Sequence, residues 1–415
     1  MATTPGNGAG PVRRREFLQA GALATATALS QTTGGIAAPP DDAAKSPLPT
    51  RTLGKTGVKV TILNLGTWRN PGLDRLLRFA FANGVRYFDA ARSYGSEPAI
   101  RKWFQQMPEV RDEIFLVTKD DRARSPRDLP KLLDERLKIL GTDHVDLFFI
   151  HALGDADINA GLSWPKSPEL GRTIEAIKKS GKAKFVGFST HHPRRAEILQ
   201  AAAEGGFVDA IMLQYTPWLD KDAPLNKALD ACHAKGIGLI SMKQVAGQAG
   251  GNQGGDILSE VVRRVPMLKE KGLSPYQGLL HAIWTDERIA SSCVSMRNVE
   301  QIRENTKAAR NFEPLKQAQI DQLRDAMLAA GPTLCADCDG RCARAAGTDA
   351  ELGNLTRFLT YYKHHGNRAD ARRYFAELAP EARAWHGADL EAARAACPNR
   401  LDFAALLPEA DRLLS

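Results

Sequence analysis

Gly84-Val85-Arg86-Tyr87-Phe88-Asp89-Ala90-Ala91-Arg92-Ser93-Tyr94-Gly95 is the stretch on which the reading of this chain turns. Its apolar, aromatic run (Val85, Tyr87, Phe88) predicts a buried strand. Asp89 closes that strand, and Tyr94 follows five residues later in a Ser/Gly loop. Core packing has no use for a lone carboxylate, because burying one unpaired is costly. Asp89 therefore needs a cation, and the ends of neighbouring strands are the place to look for it.

From Ile62 onward, short apolar runs alternate with helical patterns. The strand candidates are Ile62–Leu65, Val85–Phe88, Ile114–Val117, Val145–Ile150, Ala183–Phe188, Val208–Leu213, Ile237–Ser241 and Ser292–Met296. Eight strands separated by helices predict an α/β chain whose parallel sheet closes into a (β/α)8 TIM barrel. The alternative, a doubly wound open sheet, calls for a Gly-x-Gly-x-x-Gly after its first strand, and none stands there. Ahead of the barrel, Arg51–Val60 reads as a β-hairpin. Its Gly54-Lys55-Thr56 is not a phosphate loop, since Pro49 occupies the place of that motif's first glycine.

In such a barrel the chemistry gathers at the carboxyl ends of the strands. Those ends read Thr67-Trp68, Asp89, Lys119, His151, Ser189-Thr190, Tyr215, Met242-Lys243 and Ser295-Met296-Arg297. Three ionisable groups at consecutive strand ends are hard to explain as packing. Asp89 can keep Lys119 charged, and an ammonium within about 4–6 Å should favour the phenolate and lower the pKa of Tyr94. His151 can donate a hydrogen bond to a carbonyl oxygen, and Tyr94 can give that oxygen a proton as a general acid. No side chain donates hydride, so a bound cofactor must.

Several blocks carry a resemblance: Leu53-Gly54-Lys55-Thr56-Gly57, Asp89-Ala90-Ala91-Arg92-Ser93-Tyr94-Gly95-Ser96-Glu97, Val117-Thr118-Lys119, Asp146–His151, Val186–Ser189 and Val294–Asn305. In order and rough spacing, from about Arg51 to Phe312, the chain resembles the aldo-keto reductases. The resemblance implies a (β/α)8 barrel and NAD(P)H-dependent interconversion of a carbonyl (aldehyde, ketone or sugar) and an alcohol. It implies Tyr94 as acid/base, Asp89 and Lys119 as its tuners, and His151 as the carbonyl orienter. It also implies a nucleotide held by Thr67, Ser189, Thr190, Tyr215, Met242, Lys243, Ser295, Arg297, Gln301 and Asn305. Thr190 stands where the family usually has Asn, and Met212 where it has Gln, with Gln214 a substitute if the strand register shifts. Met242 takes the place of the usual stacking Tyr. The single Arg297 at the adenosine end favours NADP over NAD. The Gly-rich loop Gly247–Gly255 reads either as a flap over the pyrophosphate or as a plain flexible loop.

The two ends of the chain read differently. Arg13-Arg14-Arg15-Glu16-Phe17-Leu18, a mildly apolar Ala20–Leu29 and a small-residue stretch before Pro39 have the plan of a signal peptide. The paired arginines resemble a bacterial twin-arginine signal, which implies export by that machinery to the periplasm or cell envelope. The expected organisation is a signal and linker over 1–49, the barrel over 50–315 and a helical extension over 316–415. In the extension, Cys335-x2-Cys338-x3-Cys342 and the distant Cys397-Pro398 resemble a degenerate ferredoxin-like tail. One [4Fe–4S] cluster or a Zn2+ on Cys335, Cys338, Cys342 and Cys397 is one expectation; a disulfide pair or unmodified thiols are the others. Leu355–Tyr362 and Ala369–Leu378 read as helices, Cys232 and Cys293 as core residues, and His191-His192 and His364-His365 as solvated loops.

With 43% hydrophobic and 25% charged residues, the composition is that of a globular protein. The net charge of +8 is spread over 415 residues without a Lys/Arg block interleaved with aromatics, which argues against nucleic acid as a partner. No apolar run reaches the length of a membrane span. A small-molecule carbonyl or alcohol is the expected partner. Two rival functions are a nucleotide-binding sensor without turnover and a cluster-dependent electron carrier. The complete Asp89, Tyr94, Lys119, His151 set speaks against the first, and the missing half of the ferredoxin cysteines against the second.

Overall fold

A computed structural model describes residues 47–68, 72–192, 194–217, 219, 221–244, 263–330, 335, 340–363 and 368–415. The signal segment, Gly247–Gly255, Cys338 and His364-His365 lie outside these residues.

Eight parallel strands close into a barrel: β3 (Leu63–Gly66), β4 (Tyr87–Asp89), β5 (Phe115–Asp120), β6 (Val145–Ile150), β7 (Ala183–Thr190), β8 (Ala210–Gln214), β9 (Gly238–Met242) and β10 (Ile289–Val294). β10 pairs with both β9 and β3 and so seals the sheet. The expected barrel is the observed one, with strand limits moved by at most three residues. The hairpin β1 (Thr50–Thr52) and β2 (Lys59–Thr61) is antiparallel and lies at the amino-terminal end of the strands, where Lys55 N–H bonds the Gly236 carbonyl before β9.

Strand alternation sorts the side chains into two cores. Tyr87, Phe115, Val117, Leu147, Phe149, Met212 and Ile240 fill the barrel interior, joined from below by Leu53 and Val60 of the hairpin. Phe88, Leu116, Phe148, Phe188, Ile211 and Leu213 point outward against the surrounding helices. Those helices are α1 (Leu73–Ala82), α2 (Glu97–Gln106), α3 (Leu129–Leu140), α4 (Pro168–Lys179), α5 (Arg195–Gly205), α6 (Pro224–Ala234), α7 (Pro275–Thr285) and α8 (Val299–Arg310). Their starts carry helix-opening chemistry: Ser167 caps α4, Ser274 and Gln277 form a capping box on α7, and Asn298 caps α8.

After the barrel, α9 (Gln317–Ala330) presses Ile320, Leu323 and Ala326 onto the segment around Met267 and Ala282. Beyond it, α10 (Arg341–Ala345), α11 (Leu352–Lys363), α12 (Arg368–Glu377), α13 (Leu390–Ala396) and α14 (Phe403–Leu414) enclose a separate apolar core around Leu355, Leu359, Phe375, Phe403 and Leu407. Both expected tail helices are present, as α11 and α12. Among the described residues no helix is long and apolar enough to cross a membrane.

Candidate active site

Asp89 and Lys119 end up face to face because both continue the inward phase of their strands: Tyr87 to Asp89 on β4, and Phe115 through Val117 to Lys119 on β5. The Lys119 ammonium hydrogen-bonds the Asp89 carboxylate and donates to the Ala90 carbonyl at 3.1 Å. Both side chains are about 1% exposed. Asp89 is held from behind as well: the Thr67 hydroxyl, after β3, donates to its carbonyl at 2.8 Å and bonds the Ser96 hydroxyl at 2.7 Å.

Tyr94 closes a single 3-10 turn, Arg92–Tyr94, that ends at Gly95 with φ +66°. A left-handed residue at that point suits glycine, and it turns the chain back over the strand end. The Lys119 nitrogen lies 4.9 Å from the centre of the Tyr94 ring. His151, the residue after β6, packs edge-on against the same ring with centroids 5.5 Å apart. Four groups from three consecutive strand ends thus share one spot at the mouth.

Their electrostatics differ in one respect from the expectation. Burial pulls the Lys119 ammonium down, but Asp89, Tyr94 and Cys293 outweigh it and raise its pKa. Burial raises the Tyr94 phenol; Lys119 opposes this, yet the net pKa stands above the ordinary tyrosine value. Lys119 therefore restrains the rise in the phenol's pKa without reversing it, because low polarity around the ring disfavours an anion more than one ammonium favours it. Tyr94 is protonated at neutral pH, the form a proton donor needs. Burial, then Lys119, His191 and Lys243, push His151 well below the usual histidine range, so its ring is neutral. Its Nδ1 is buried without a hydrogen-bond partner.

The positions expected around a nucleotide are not brought together as one set. Met242, inward at the end of β9, and Lys243, held at φ +53°, stand at the rim. Ser189 faces inward and accepts the Ala152 amide at 3.0 Å. Ser295, Arg297 and Gln301 are exposed around the start of α8, and Asn305 is buried one turn further on. The Gln301 side chain accepts the Arg297 amide at 2.7 Å, and the Arg297 guanidinium stacks 5.7 Å from the Trp68 ring. Three of these positions are engaged within the protein. Thr67 is 1% exposed and committed to Asp89 and Ser96. Thr190 is fully buried, with its hydroxyl accepting the His192 amide at 3.4 Å. Tyr215 points outward into the helix layer and donates to Asp286 at 2.7 Å. The outward phase of Ile211 and Leu213 on β8 carries that signal, and the same alternation turns Met212 into the barrel core.

Other groups at the mouth carry no local signal. Gln214 accepts a 2.6 Å bond from Arg357, a 4%-exposed residue of α11. Trp68 stacks on Tyr374 of α12 at 6.4 Å. The extension therefore lies against the mouth. His191, expected in a solvated loop, pairs with Asp155 at 2.8 Å. Cys293, expected in the core, packs from β10 against the barrel interior, where burial and then Asp89 raise its thiol. Of the four cysteines expected as ligands, Cys338 lies outside the described residues, and among the described residues no group of three metal-ligating side chains is assembled. Cys342 and Cys397 are buried in the apolar core of the extension, and the Cys335 sulfur lies against Gly353 of α11.

The sequence profile of the Aldo/keto reductase family matches residues 63–327. L-glyceraldehyde 3-phosphate reductase of Escherichia coli O157:H7 is 26% identical over 327 residues, covering 66% of this chain and 91% of that protein. The uncharacterized oxidoreductase YrpG of Bacillus subtilis (strain 168) is 27% identical over 303 residues, covering 62% and 89%. Among solved structures, a crystal structure described as a candidate 2,5-diketo-D-gluconic acid reductase B superposes with a TM-score of 0.52. It is 21% identical and covers 68% of this chain and 92% of that one, a likeness of fold.

Proposed function

The chain belongs to the aldo/keto reductase family and is an oxidoreductase enzyme, and from that premise we propose that it interconverts a small aldehyde, ketone or sugar carbonyl with its alcohol, using NADP(H) and Tyr94 as the acid/base. The observation that carries this reading is the Lys119 ammonium, bonded to Asp89 on one side and 4.9 Å from the Tyr94 ring on the other, with His151 against that same ring.

The donor chemistry at the rim fits a dinucleotide. Arg297 stands one residue before Asn298, the cap of α8, so a cation and a helix amino terminus meet where a phosphate would lie. Lys243 follows β9, the strand beside β10, and adds a second cation, and Asn305 lies one turn along α8 from Gln301. When bound, the nicotinamide supplies the hydride.

The protein's own part is orientation and proton delivery. Neutral His151 donates a hydrogen bond to the carbonyl oxygen and fixes its direction. Tyr94 donates its phenolic proton to that oxygen as negative charge develops. Lys119 then stabilises the phenolate left behind, and Asp89 keeps Lys119 cationic throughout. In the alcohol-oxidising direction the same phenolate takes the proton back.

Tyr94→Phe tests the reading. It should lower kcat/KM for reduction by about 10²–10⁴-fold while nucleotide affinity, read by fluorescence titration, is unchanged. Turnover equal to that of the wild type would overturn it. The arginine-led amino terminus supports a companion proposal, export by the twin-arginine machinery to the periplasm or cell envelope. Replacing Arg13-Arg14-Arg15 with lysines should retain the protein in the cytosol, as read by cell fractionation.

A further inference from the structure

The extension touches the barrel mouth at two anchors whose positions on the rim matter. One is the buried Arg357 of α11, bonded to Gln214 at the end of β8. The other is Tyr374 of α12, stacked on Trp68 just after β3. Phe358 of α11 stacks on Tyr374 at 5.6 Å, which ties the two anchors into one body. Around the closed barrel the order is β8, β9, β10, β3. The anchors therefore flank the ends of β9 and β10. Those ends carry Met242-Lys243 and Ser295-Arg297, among them Lys243 and Arg297, the two cations proposed above for the nucleotide. Arg297 is itself within the second anchor, since its guanidinium lies on the other partner of the Trp68–Tyr374 stack.

A dinucleotide laid along that arc would have the extension across its path of departure. Resting on the proposed function, we infer that the C-terminal extension retains the nucleotide through turnover, and that the enzyme passes hydride from one small alcohol to a second small carbonyl without exchanging nucleotide with solution. The step balances without any further reductant. The alcohol loses a hydride and a proton and becomes a carbonyl; the second carbonyl gains both and becomes an alcohol. Tyr94 carries the proton and the retained nicotinamide carries the hydride. A buried Arg–amide bond and stacked aromatic rings are contacts that slow dissociation, the rate through which most affinity changes act.

The test uses the full-length protein loaded with NADP and passed through exhaustive gel filtration, with bound nucleotide then measured by absorbance after denaturation. The wild type should keep close to one nucleotide per chain, and Arg357→Ala with Tyr374→Ala should exchange it about 10-fold or more faster. Tyr374→Phe, which keeps the stack, should behave as the wild type. Wild-type protein that loses its nucleotide on the column, or a folded double variant that retains it equally well, would overturn the inference. A second measurement needs no variant. Deuterium from a C1-deuterated alcohol should reach the product of an added aldehyde undiluted by excess free NADPH. Diluted label with intact Tyr94-dependent reduction sinks retention alone, whereas a protein that cannot be loaded with NADP or NAD sinks the function proposed above as well.

Discussion

Two buried ion networks lie on opposite faces of β5, one residue apart, and they do different things. Inward, Lys119 meets Asp89. Outward, Thr118 donates to Glu97 at 2.6 Å, Arg136 of α3 bonds Glu97 at 2.9 Å, and Arg136 reaches Asp120 at 3.2 Å. Each removes charges from water, and each needs close partners to offset that cost. In the outward network Arg136 bridges the two carboxylates, the Thr118 hydroxyl bonds Glu97, and Arg122 adds a second guanidinium on Asp120 at 2.8 Å, so that α2 and α3 are clamped to the sheet. The inward pair has a phenol and a neutral imidazole for company, and those neighbours can change protonation state. Burial alone therefore does not mark a functional charge. What marks it is a titratable neighbour within reach.

That contrast can be broken from either side. Lys119→Met should have the largest effect, lowering turnover by about 10²–10³-fold and, by stranding Asp89, the unfolding free energy by about 3–5 kcal/mol. Steady-state kinetics and urea denaturation read the two losses together. Arg136→Met should cost about 3–5 kcal/mol by stranding Glu97, Asp120 keeping Arg122 at 2.8 Å, yet leave kcat of the folded protein near the wild-type value. A matching fall in kcat would show that the outward network also serves the chemistry.

A pH series sharpens the comparison at smaller scale. Reduction needs Tyr94 protonated and His151 neutral. Tyr94 is raised above its ordinary value and His151 is lowered below its own. Neither group should therefore depress the single-turnover reduction rate between about pH 6.5 and 10. Stability carries the opposite signature. The unfolded histidine takes up a proton below about pH 6.5 while folded His151 does not, so the folded state loses stability as pH falls through that value. His151→Gln should flatten part of this slope in urea midpoints at pH 7.5 and 5.5. The smallest change is Thr67→Val, which removes the hydroxyl bonded to Asp89 and Ser96. It should cost about 1–2 kcal/mol and leave nucleotide affinity intact, since Thr67 is already committed to the protein.

The barrel and its four central residues were legible because two short-range rules agree on them. Apolar runs set the strands, and alternation puts Asp89 and Lys119 on the inward face. Alternation also sets the direction of Tyr215, which continues the outward phase of Ile211 and Leu213. The Gln214–Arg357 bond spans 143 residues of chain, and no local pattern foretells it. The Asp155–His191 pair likewise joins two loops at strand ends. The direction of the Tyr94 pKa shift depended on how deeply the ring is enclosed, a quantity that residue order does not carry.

The hairpin below the strands has a bearing on traffic. Leu53 and Val60 sit in the same interior core as Tyr87, Phe115 and Ile240, so the barrel is stoppered at its amino-terminal end. Whatever enters at the rim must back out by the same doorway. Two reactants would then queue for one seat, the first gone before the second arrives, and each would act as a competitor of the other at high concentration.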